Sequence, residues 1–203
     1  MTLEIDRSQF RKGIRISTLV LVDTRSHHLI GPAGSIRADT GGILRHCRAA
    51  LLHARRLGTP VMFVRDRYFG SNTPTKAGRS WIKGLEPQRN DRVFERDGES
   101  CYDGPYFREV IETAGRSIAV AGFLGSGGCL ATAVDALCAG HAITFLKDAI
   151  VDDMSSRVID VSLVGSLAAF RRFEVQVKST VQWIAAPVAP PLRTADRKAS
   201  LCH

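Results

Sequence analysis

Short apolar runs rich in β-branched residues alternate along the chain with segments whose apolar positions recur every three or four residues. That alternation predicts strands joined by crossover helices, and so a parallel sheet covered on both faces. Residues 17–23, 60–65, 91–95, 117–122, 142–148 and 174–178 read as six strands, the last at an edge. Residues 38–57 carry Ile43, Leu44, Cys47, Ala50, Leu51 and Ala54 on one helical stripe. Asp39 or Thr40 is placed to cap that helix, and Gly58 with Pro60 to stop it. Further helices are expected at 105–114, at 129–139 and from Ser155 or Ser156 to about Phe170. Residues 181–184 extend the last strand or pack beside it. The expected fold class is α/β: three layers, α/β/α, around a doubly wound, six-stranded, mainly parallel sheet.

The 203 residues suit one domain over 1–184, followed by a tail at 185–203 in which proline and charge dominate. Hydrophobic residues at 44% and charged residues at 24% argue against disorder. No apolar run reaches the ~18 residues of a membrane helix, and the N-terminus lacks the apolar core of a secretory signal. A cytoplasmic protein with no membrane partner is expected. The net charge of +8 invites a nucleic-acid reading. The basic residues are scattered, however, and no basic helix alternates with aromatics, so no nucleic-acid partner is expected. Five cysteines without a CxxC pair make neither a disulfide framework nor a zinc site, leaving free thiols.

In a doubly wound sheet, ligands sit beyond the carboxyl ends of the strands. Asp23, Arg65, Glu95, Arg96, Gly122 and Asp148 are all expected at or near that edge. Asp23 ends an apolar strand, where burial raises a carboxyl toward a range useful for proton transfer. Cys129 follows the glycine-rich turn 122–128 and is expected to open a helix. Free amides and the helix dipole there favour a thiolate and can receive an oxyanion. Arg96, just past a short strand, could support such a thiolate. The long polar stretch 66–90 is expected to be functional. Arg25, Arg65, Tyr68, Trp81 and Tyr102, with Phe123 and Gly125 in the turn, are candidates for substrate binding. An arginine beside an aromatic suits a small substrate with a carboxylate and a flat part. Trp81 could equally be a core or dimer contact.

Four blocks together resemble the isochorismatase-like cysteine hydrolase superfamily, which includes nicotinamidases and carbamoylsarcosine amidases. They are LVLVDTRSHHL, DRVFERDGESCYDGPYF, IAVAGFLGSGGCLATAVDALCAGH and AITFLKDAI. The resemblance runs from about Ile16 to Ile184 and implies a Rossmann-like hydrolase fold. It implies Cys129 as nucleophile, Asp23 as general acid/base and Arg96 at the position of the family's lysine. It also implies an oxyanion hole from the amides of Gly128 and Cys129, and a cis peptide near Leu124–Gly125. The reaction implied is cleavage of a C–N bond (amide, ureido or carbamoyl) in a small molecule through an acyl-enzyme. Members commonly form dimers or tetramers, so a homo-oligomer is expected.

The chain departs from the family pattern in three places. Arginine replaces lysine at 96, the turn before Cys129 is one residue longer, and the motif after the aspartate reads Asp23-Thr24-Arg25. Nicotinamidase-type members bind a metal through an aspartate and histidines in the loop after the second strand. Here that loop, RDRYFGSNTPTKAGRSWIKG, contains no histidine. His27 and His28 read as a loop pair pointing opposite ways. No catalytic metal and no cofactor are expected. The alternative is a catalytically silent member that binds a ligand or partner.

Overall fold

The computed structural model describes residues 17–30, 40–67, 80–151 and 175–186. The helix expected at 155–170, residues 68–79 of the loop 66–90 and nearly all of the tail lie outside the described residues. Six strands form one sheet: β1 (Thr18–Val22), β2 (Val61–Asp66), β3 (Arg92–Arg96), β4 (Ser117–Phe123), β5 (Ala142–Val151) and β6 (Val175–Lys178). Their order is β3-β2-β1-β4-β5-β6, and every pairing is parallel. β6 is an edge strand, as its polar pattern predicts. The helices are α1 (Thr40–Arg56), α2 (Phe107–Thr113), α3 (Ser126–Cys138) and α4 (Thr180–Ile184).

The pleat sends alternate strand residues to opposite faces, and both faces are covered. Val20, Val22, Met62, Val64, Ile118 and Val120 join Phe107 and Ile111 of α2 and Ala133 of α3 in one buried cluster. Leu19, Leu21, Phe63, Ala119 and Ala121 join Ile43, Cys47, Leu51 and Ala54 of α1 in the other. Two-sided burial explains why β1 reads as an unbroken apolar run rather than an alternating one.

Two local outcomes go beyond the periodicity. Residues 180–184 form a short helix that packs beside the last strand rather than extending it. Ser179 accepts from the Gln182 amide while the Gln182 side chain accepts from the Ser179 amide, a capping box that ends β6. The helix carrying Cys129 also starts three residues earlier than expected, at Ser126, because Gly127 and Gly128 fit within its first turn.

Where β1 and β4 meet, Gly122 pairs with Val22 and adopts φ +114°. A β-carbon there would stand 2.2 Å from the Val22 carbonyl oxygen. Only glycine allows this approach. The register of β4 against β5 shifts at the same point, from Val120↔Phe145 to Gly122↔Ile150.

Candidate active site

The strand order reverses between β1 and β4, so the ligand crevice of this topology opens beyond Val22 and Phe123. Asp23 is the first residue past β1. Its φ of +49° is left-handed, a conformation that costs a non-glycine residue ~1–3 kcal/mol and clusters at functional sites. The Asp23 amide is tied to the Val64 carbonyl at 2.8 Å, which carries the β1–β2 ladder into the turn.

The Asp23 carboxylate is 2% exposed and gripped on both oxygens. Arg96, at the end of β3, donates from Nη2 to Oδ2 at 2.7 Å, and the Asp66 amide donates to Oδ1 at 2.8 Å. His28 Nε2 stands 3.7 Å from the same Oδ1. Burial pushes the Asp23 carboxyl up from its ordinary value, against the pull of the Arg96 charge and the Asp66 amide. For Arg96, burial pushes down, but the charge and hydrogen bond of Asp23 outweigh it and keep the guanidinium above its ordinary value.

Arg96 has a second hold, donating from Nη1 to the Glu99 carbonyl. The loop bearing Glu99 is pinned by its own turn: the Ser100 amide donates to Asp103 Oδ2, and the Tyr102 amide donates to Ser100 Oγ. That loop rests on the first turn of α3. A β-carbon on Gly127 would meet Glu99 Oε2 at 2.5 Å, and one on Gly128 would meet the Glu99 carbonyl at 3.2 Å. A continuous path of contacts therefore runs from Asp23 through Arg96 and Glu99 to the turn that carries Cys129.

Cys129 is fully buried, and its thiol donates to the Leu124 carbonyl at 3.1 Å. Its amide donates to the Gly125 carbonyl at 2.9 Å. This corrects the expectation of an unengaged Cys129 amide. With α3 starting at Ser126, Cys129 is the fourth helical residue and makes the first intrahelical bond. Gly128 precedes that bond. The Leu124–Gly125 peptide is trans, since among the described residues none is cis.

A family model, the isochorismatase domain, matches residues 17–175. The chain belongs to the isochorismatase family of hydrolases. Solved structures agree on the fold. An isochorismatase from Pseudomonas putida KT2440 is 21% identical with a TM-score of 0.66, covering 85% of this chain and 93% of its own. A cysteine hydrolase from Pseudomonas syringae pv. phaseolicola 1448A is 18% identical with a TM-score of 0.64, covering 86% and 96%. N-carbamoylsarcosine amidase from Thermoplasma acidophilum is 20% identical with a TM-score of 0.61, covering 81% and 96%. No curated protein sequence matches.

The remaining candidates of this isochorismatase-family chain scatter around the crevice. Arg25 is buried near Asp23, and its Nη2 donates to the Asp66 carbonyl at 2.8 Å. Gly125 caps α3, and Phe123 is buried at the end of β4 with its ring stacked on His28 at 5.5 Å. Arg65 is spent on Glu95, donating from Nη2 to Oε1 at 2.5 Å, and Arg67 also faces Glu95. Trp81 packs edge-on against Phe63 of the core, while its backbone bridges to Arg25. Tyr102 turns away from the crevice. Its hydroxyl meets His141 Nδ1 at 2.9 Å, just before β5, and its ring packs on Phe107. Asp148 lies on β5 just beyond its last register pair with β6, Leu146↔Lys178, and its Oδ1 accepts from both the amide and the hydroxyl of Thr180 at the start of α4. Tyr68 lies outside the described residues.

His28, which the sequence reads as half of a loop pair, stands beside Asp23. His27 and His28 form a buried 3-10 turn with ring centroids 4.0 Å apart, rather than pointing opposite ways. Its sequence signal was position: five residues after a strand-ending acid, one tight turn brings a side chain back onto that acid. Among the described residues, no three His, Cys, Asp or Glu side chains gather as a metal site, and no helix is long and apolar enough to cross a membrane.

Proposed function

We propose that this chain is a cysteine hydrolase cleaving a C–N bond (amide, ureido or carbamoyl) of a small molecule. The observation that carries this reading is the buried, backbone-strained Asp23 at the strand-order reversal, joined through Arg96 and Glu99 to the turn bearing Cys129. N-carbamoylsarcosine amidase among the fold neighbours adds weight to the C–N class.

Ionised Asp23 takes the thiol proton, and the Cys129 thiolate attacks the carbonyl carbon. The Gly128 amide holds the oxyanion, joined by the Cys129 amide sharing its bond to Gly125. As the C–N bond breaks, Asp23 passes its proton to the leaving nitrogen, and a thioester remains. Water then loses a proton to Asp23 and attacks the thioester. The C–S bond breaks, the acid departs and the thiol recovers the proton. Arg96 stays charged throughout and holds Asp23 in place. Arg25 and Phe123 flank the substrate. The reading includes a homo-oligomer in the cytoplasm, and sedimentation showing only monomer would remove the oligomer.

The test is ammonia release from a panel of small amides, ureido acids and carbamoyl compounds by the wild type and by Cys129→Ala. Release that vanishes in the folded variant supports the mechanism. Release that survives it, or no release from any compound, moves the chain to another bond type or to ligand binding without turnover.

A further inference from the structure

The Asp23 carboxylate is offered three neighbours, of which the reaction scheme uses one, Arg96. Arg96 occupies Oδ2 and the Asp66 amide occupies one side of Oδ1. The third, His28, brings Nε2 to 3.7 Å from Oδ1. That is outside hydrogen-bond range but closes with a shift of less than ~1 Å. Contacts of this kind are commonly long before substrate binds and tighten in the reacting complex. The imidazole is buried and its ring lies on Phe123, at the end of the neighbouring strand β4. The 3-10 turn Ser26–Leu29 is anchored by the Ser26 amide on the Ser80 carbonyl, so the ring is delivered by a fixed element.

We propose that His28 is a positioning residue for the general acid/base: its Nε2–H closes on Asp23 Oδ1 and holds the carboxylate ionised while Cys129 is deprotonated. This rests on the reaction proposed above. Burial works against the ionised carboxylate, and each added donor works for it. Among the described residues, the charged and titratable groups facing this pair are His27 beside His28, Arg25 and Asp66 around Asp23, Arg96 from β3 and Cys101 behind Arg96. Arg25, Asp66 and Arg96 stay in all variants below, so a change is assigned to position 28.

Two variants separate a donor from a packing ring. His28→Phe keeps the stack on Phe123 and loses the N–H. His28→Gln keeps an N–H donor and loses the ring. For any amide the wild type turns over, His28→Phe is expected to lower kcat roughly ten- to a hundredfold, the loss of one hydrogen bond to a charged group. It should leave KM nearly unchanged and move the acid limb of the pH profile upward, while His28→Gln stays close to the wild type. A His28→Phe profile that overlays the wild type, with His28→Gln the damaged one, overturns the proposal. If no amide is turned over, melting curves across pH decide without activity, on wild type, His28→Phe, Asp23→Asn and the double variant. Non-additive, pH-dependent shifts support a His28–Asp23 coupling, and additive shifts overturn it.

Discussion

Arg96 Nη2 lies 2.7 Å from Asp23 Oδ2 across two strands, with both side chains buried. The pairing spans β3 to β1 and passes over Asp66, whose Cα is the register partner of Arg96. A planar guanidinium serves this place because one fork reaches the carboxylate and the other the Glu99 carbonyl, which a single ammonium cannot do at once.

Arg96→Ala leaves a buried carboxylate without its counter-charge. The expected cost is ~3–5 kcal/mol, read as a lower urea midpoint at unchanged slope. Arg96→Lys keeps the charge, gives up the second contact and should fall between. An alanine variant as stable as the wild type would mean that the pair contributes nothing in solution.

Stability should respond to pH through Asp23. Its carboxyl titrates higher in the fold than in the unfolded chain, because burial outweighs the Arg96 charge and the Asp66 amide. The folded state therefore holds the proton more tightly. The contribution is fully present below the unfolded value and lost as pH rises through the raised one. Relative to Asp23→Asn, the wild type should lose stability across that window. Parallel curves for the two proteins in a pH series of melts would rule out a raised value.

Gly122→Ala tests the close approach of β1 and β4. The φ of +114° alone costs ~1–3 kcal/mol for alanine, and the clash at 2.2 Å with the Val22 carbonyl adds to it. A lower denaturation midpoint is expected, together with disturbance of Asp23 one residue beyond Val22. An unchanged midpoint would mean that the strands separate there at no cost.

Thiol labelling ranks the cysteines. Burial pushes the Cys47 and Cys101 thiols up to about 12, so both should be inert at neutral pH. Cys138 is exposed and should react at an ordinary rate. Cys202 lies outside the described residues. With Cys138 and Cys202 changed to serine, iodoacetamide should label Cys129 ahead of Cys47 and Cys101. A Cys129 no faster than these two would remove its standing as an activated nucleophile.

Local periodicity sufficed for much of this protein. The apolar runs and the 3.6-residue stripe of α1 placed six strands and the long helix, because burial on two faces writes itself into neighbouring positions. The ends of β1 and β3 put Asp23 and Arg96 on the same sheet edge. Which cation meets Asp23 was beyond such reading. Arg25, Arg65 and Arg96 all sit near strand ends, and strand order and side-chain direction send Arg65 to Glu95 and Arg96 to Asp23. The same holds for Tyr102 turning to His141, for Cys138 facing outward and for His28 folding back under Phe123. Periodicity is a property of adjacent residues, whereas these contacts join segments tens of residues apart. They exist only once the sheet has brought its carboxyl ends together.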